Sequence, residues 1–137
     1  MEFEKGWEKL LEVTGTKGAR TIERHHQFSP DLCKFIVEFA YGDIYSRPGL
    51  DLSKRMIVTI TALITQGDCE KELTVHIGSA LNAGLSPEEI VEIVLHCIPY
   101  IGFPRVMNAM AIVREVFAER GIEYGPGSSA AEAQSAD

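Results

Sequence analysis

Cys69, Glu72 and His76 are spaced three and then four residues apart in a stretch with helical apolar periodicity. Seven positions at about 100° each return to within roughly 20° of the starting direction, so the three side chains share one strip of a helix. The strip runs beside an apolar stripe of Leu73, Ile77, Ala80 and Leu81. A carboxylate four residues before a histidine can accept a hydrogen bond from the ring, which raises its basicity and fixes its tautomer. A general acid or base needs both. The same spacing also occurs in solvated surface pairs, which contribute about 0.2–0.5 kcal/mol to a helix.

His96 follows Glu92 by the same four-residue step and has Tyr100 four residues beyond it. It reads either as a second proton-handling group or as a structural histidine near a helix end. The His-x-x-x-His and Glu-x-x-His spacings of helical metal sites are missing, so no metal is expected. Arg47 lies in a Pro-Gly loop beside Tyr45. A guanidinium there can grip a carboxylate bidentately, or can simply be an exposed turn residue. Of the three cysteines, Cys33 and Cys97 read as small core residues. Cys69 sits at a helix N-terminus, where the dipole favours thiolate, and is the candidate redox residue. His25-His26 lie in a polar helix and should face solvent.

The elements that must position these groups read as helices. Residues 4–13 form a first helix ending near Gly15, and residues 19–28 form a second, polar one. Ser29-Pro30 starts a third, with Leu32, Phe35, Ile36 and Phe39 at helical spacing, stopping near Gly42. After the 46–50 loop, Asp51 or Ser53 caps a helix to Thr65. Its Met56, Ile57, Val58, Ile60 and Ile64 leave little polar face, which marks it as the central buried helix. Cys69 to Ala83 follows, closed by Gly84 in a left-handed cap. Ser86-Pro87-Glu88-Glu89 carries a Ser cap, a Pro at the first position and a Glu that can close a capping box. Pro99 and Gly102 interrupt that helix, and Phe103-Pro104 starts the last. The reading is all-α, a compact bundle of about six helices over residues 1–120, with residues 121–137 a disordered tail. The apolar excess of the 56–64 and 106–117 segments points to a homo-oligomer.

The chain has 137 residues, the size of one domain, and 45% hydrophobic residues, enough for a core. Its formal net charge is −7 and no basic run occurs, so nucleic acid has no electrostatic footprint to follow. No secretory leader or membrane span is read, and three widely spaced cysteines suit a reducing compartment. A soluble, cytoplasmic, acidic helical domain with a possible acid/base site is expected.

The run Tyr41-Gly42-Asp43-Ile44-Tyr45-Ser46-Arg47-Pro48-Gly49-Leu50 is followed by Arg55 with Thr59 and by His76 before Ala80-Leu81-Asn82-Ala83-Gly84. Pro87-Glu88-Glu89-Ile90 comes next, and then His96 with Tyr100, Gly102 and Pro104. In this order the motifs resemble the carboxymuconolactone decarboxylase family over roughly residues 5–120. The resemblance implies an AhpD-like all-α subunit in a hexamer, a trimer of dimers. It also implies cofactor-independent loss of CO2 from a carboxylated unsaturated lactone in aromatic-compound degradation. On that reading Arg47, with Tyr45 and Tyr100, holds the substrate. His76, oriented by Glu72, delivers a proton, and His96 or Tyr100 donates to the oxyanion.

The wider superfamily includes alkylhydroperoxidase D-type proteins with a Cys-x-x-Cys-x-x-x-His motif. Cys69 and His76 match its ends, but Glu72 stands at the second cysteine, and Met56 and Ile57 stand where that group has its upstream Glu. A thiol-dependent peroxidase or disulfide reductase using Cys69 and His76 is therefore the alternative. A binding protein without chemistry is a third reading.

Overall fold

Local signals set most helix boundaries in the computed structural model, which describes residues 2–127; most of the expected tail, residues 128–137, lies outside them. Helix α1 spans Glu2–Phe28 and α2 spans Pro30–Lys34, the latter capped by the Ser29 hydroxyl accepting from Leu32 N–H at 3.3 Å. The chain continues without a break into a π-helix, Phe35–Ile44. Asp51 caps α3 (Leu52–Gln66) by accepting from Lys54 N–H at 3.0 Å. Then come α4 (Glu70–Asn82), α5 (Pro87–His96), the single turn α6 (Ile98–Ile101) and α7 (Phe103–Glu119). Joining α2 to the π-helix and α6 to α5 leaves six rods, and no strand occurs among the described residues. At the start of α5, Ser86 and Glu89 close the expected capping box reciprocally, at 3.0 and 2.9 Å.

The break read at Gly15 is present: its φ of 71° and ψ of −171° are not helical, so α1 is kinked there into two helical halves, with Val13, Thr14, Gly18 and Ala19 buried on either side. Glycine reaches such a backbone conformation without steric cost. Two expectations are corrected.

The helix expected to stop near Gly42 runs on to Ile44, because its last turns widen to the π form, with Tyr45 N–H donating to the Ala40 carbonyl at 2.9 Å. Close backbone packing accompanies this: a Cβ on Gly6 would lie 2.1 Å from the Val37 carbonyl oxygen, and one on Gly42 would lie 3.5 Å from Gly6 Cα.

Finally, α3 is not the buried hub. Met56, Ile60 and Ile64 face the core, but Ile57 and Val58 are exposed. α4 packs against α1, α3, α5 and α7, and buries Leu73, Ile77, Gly78, Ser79 and Ala80. His76 rides on this helix, one residue from a fully buried isoleucine.

The core joins Leu10 and Val13 of α1 to Val37, Met56, Ile60, Ile77, Ile90, Val94 and Val113. Outside it, Phe28, Phe35, Phe39, Val58, Tyr100, Phe103 and Met107 are exposed. No helix of the described residues is long and apolar enough to cross a membrane.

Candidate active site

Gly67 and Asp68 both take positive φ between α3 and α4, and this turn sets Cys69 at the N-cap of α4. The Cys69 thiol donates to the carbonyls of Leu63 and Gly67, each at 3.1 Å. Burial pushes its pKa up, and the charges of Glu72, Glu70 and Asp68 push it further in the same direction. Burial first and the acidic first turn of α4 second both work against the thiolate form expected at this helix N-terminus. Cys33 and Cys97 are buried, free, and likewise raised by burial.

His76 is half-buried, and its Nδ1 is shut off from solvent with no hydrogen-bond partner among the described residues. Burial lowers its pKa from 6.5, while the charge of Glu72 acts in the opposite direction. No hydrogen bond joins the two side chains, so exposed Glu72 acts on the imidazole through its field. A buried ring nitrogen without a partner is costly, by about 1–3 kcal/mol for a typical buried group, and is the kind of exception that functional sites supply.

The π-helix positions a second group. The rings of Tyr41 within it and Tyr45 at its C-cap stack at 4.9 Å, and Tyr45 Oη lies 2.6 Å from Thr59 Oγ1 of α3. Burial raises both phenol pKa values, so both rings stay protonated. Tyr45 borders a cleft of about 140 Å³ with Arg55 and Thr59. Arg47 stands on the exposed loop that follows, its guanidinium without a hydrogen-bond or ion-pair partner among the described residues.

His96 and Tyr100 do come together, their rings 5.8 Å apart, on the wall of a cleft of about 900 Å³ between α3, α5 and α6. The lining also includes Glu88, Glu89 and Glu92 with apolar Ile57, Leu95 and Ile101, and no Lys or Arg among the described residues. Such a wall repels an anion. The expected site residues therefore lie on separate parts of one chain: His96 and Tyr100 here, Tyr45 in the small cleft, and Cys69 in another of about 120 Å³ with Arg105 and Asn108. His76, Glu72 and Arg47 line none of these three. His25 and His26 are exposed, as expected. No group of three or more metal-ligating side chains forms among the described residues.

Sequence reasoning passed over Arg55 and Tyr41 as individual site residues. Tyr41 had a signal in its four-residue spacing to Tyr45. Arg55 stood in the motif with Thr59, but its role did not show, because it binds backbone carbonyls.

The sequence model of the "Carboxymuconolactone decarboxylase family" matches residues 30–115. The chain is 39% identical over 121 residues to a 4-carboxymuconolactone decarboxylase of Acinetobacter baylyi, covering 88% of this chain and 90% of that protein. A nitrosuccinic acid decarboxylase of Metarhizium robertsii is 32% identical over 114 residues, 82% of this chain and 79% of its own length. An uncharacterized 15.0 kDa protein of Paracoccus denitrificans is 32% identical over 95 residues, 69% of this chain and 71% of that one.

Proposed function

The chain belongs to the carboxymuconolactone decarboxylase family, and from that premise we propose that it is a cofactor-independent carboxy-lyase acting on a carboxylated unsaturated lactone of the 4-carboxymuconolactone type. The observation that carries this reading is the 39% identity over nine-tenths of a decarboxylase of that name. A second relative named as a decarboxylase supports the reaction class.

The chemistry needs little from the protein. The bond from the ring carbon to its carboxylate breaks, CO2 leaves, and the electron pair moves through the ring double bond to the lactone carbonyl oxygen. The resulting dienolate takes a proton on carbon. The substrate's own carbonyl is the electron sink. What remains is to hold an anion, stabilise the oxyanion and deliver the proton.

In this proposal Arg47 takes the retained carboxylate, with Tyr45 behind it in a neutral phenol form. His76 is the proton donor. Burial alone keeps it neutral, and an arriving carboxylate, like Glu72, favours its protonated form. The proton is thus taken up when substrate is present. His96 and Tyr100 serve as donors to the oxyanion once self-association brings Arg47 against the wall of Glu88, Glu89 and Glu92.

Because these groups are spread over one chain, the site is completed by self-association, for which the exposed Val58, Tyr100, Phe103 and Met107 offer apolar surface. A hexamer is the form the family resemblance implies, working in the cytoplasm on a small organic acid. The peroxidase alternative is weakened by the raised Cys69 pKa and by Glu72 at the second cysteine position.

The test is parallel assay of purified protein with 4-carboxymuconolactone, following CO2, and with an organic hydroperoxide plus dithiol, following thiol oxidation. CO2 release without peroxide consumption is expected. Peroxide consumption that disappears in C69S, with no CO2 from the lactone, would reverse the assignment.

A further inference from the structure

The loop carrying Arg47 is fastened from one side by a single residue of α3. Arg55 donates from its guanidinium to the Arg47 carbonyl at 2.8 Å and from Nε to the Leu50 carbonyl at 3.1 Å. These two acceptors bracket Pro48-Gly49, and nothing lies within 4 Å of a Cβ built on Gly49. Upstream, Arg47 N–H donates to the Ile44 carbonyl at 3.2 Å, and the Ser46 hydroxyl donates to the Tyr41 carbonyl at 2.8 Å. Downstream, Asp51 is committed to capping α3. The backbone of Arg47 is thereby held at its N–H and at its carbonyl, while its side chain is left unpaired. The same Arg55 is close enough to Tyr45 to act on its phenol electrostatically and lines the cleft beside it.

We propose that Arg55 is a positioning residue. Its planar fork fixes the Arg47–Leu50 turn so that the Arg47 guanidinium is presented in one orientation to the retained carboxylate of the substrate. This rests on the reading of Arg47 given above. Arg55 does not touch substrate in this account; it acts through Arg47. A lysine keeps the charge at position 55 but cannot bond two carbonyls in a fixed fork, so R55K separates geometry from electrostatics. Holding a binding group in place before substrate arrives favours binding, so the loss should fall on KM more than on kcat.

The experiment is a double-mutant cycle with R55K, R47A and R55K/R47A, assayed with 4-carboxymuconolactone, alongside amide hydrogen exchange across residues 46–51. R55K should raise KM about three- to tenfold with kcat nearly unchanged, and this effect should vanish in the R47A background. Exchange at 47–51 should quicken in R55K while α3 and α4 keep their protection. An R55K effect of equal size in both backgrounds, or an unchanged exchange pattern in the loop, would overturn the proposal. An unaltered KM in R47A would instead remove Arg47 from substrate binding. That failure is separable, because loop exchange in R55K does not depend on it.

Discussion

Glu72–His76 and Glu92–His96 are one motif placed twice, a carboxylate followed four residues later by an imidazole, and the fold gives them opposite surroundings. On α4, which has helices on several sides, the histidine is half-buried, with one ring nitrogen sealed off and its pKa pulled down. On α5, near the rim of the bundle, the histidine is exposed, leaning on Tyr100 in an open cleft walled by carboxylates. Spacing fixes the direction in which a side chain leaves its helix. The number of helices packed around that direction decides how much solvation the group loses.

The contrast is broken most decisively by kinetics. H76Q should lower kcat about 10²–10⁴-fold, the range for removing a positioned general acid. H96Q should cost only about tenfold, because a donor exposed to water stabilises developing charge far less than one in a dry site. Equal losses in steady-state turnover would mean that the two surroundings do not give the two histidines different roles.

A pH profile sharpens it next. With His76 as the acid, kcat should fall as pH rises through the pKa in the substrate complex. That value should lie above the one read from kcat/KM, since the bound carboxylate opposes the effect of burial. Identical values in the two profiles would remove the charge coupling from the account.

Stability gives a smaller signal. The His76 pKa is depressed in the native state, so the unfolded chain binds the proton more readily. The native state should therefore lose stability as pH falls from about 6.5 towards the depressed value, and be insensitive to this group above 6.5. H76Q should flatten that slope in thermal melts by a few degrees at most.

The smallest effect is that of E72Q. Removing the carboxylate should move the His76 pKa further down, as read by NMR titration, and the difference should shrink in high salt.

Helix starts were legible because they are local. Ser29-Pro30, Asp51 and Ser86-Pro87-Glu89 place a side-chain acceptor over orphan N–H groups, and the structure has all three caps. Features made by distant packing were not. The π-helix has no composition of its own. It emerges where Gly6 lets α1 meet the Val37 carbonyl. His76 could be picked from its spacing, but its burial could not, since solvated surface pairs share that spacing. Arg55 appeared in the motif with Thr59, but its hold on the loop was not legible, since its partners are the carbonyls of a loop whose path the sequence does not give.

The most direct measurement is turnover of 4-carboxymuconolactone in D2O by wild type and H76Q, with the product's deuterated ring carbon resolved by NMR. Wild type should release CO2 with deuterium delivered to one face, and H76Q should show a residual reaction with deuterium on both faces. Turnover and facial selectivity in H76Q equal to wild type would contradict His76 as the proton donor.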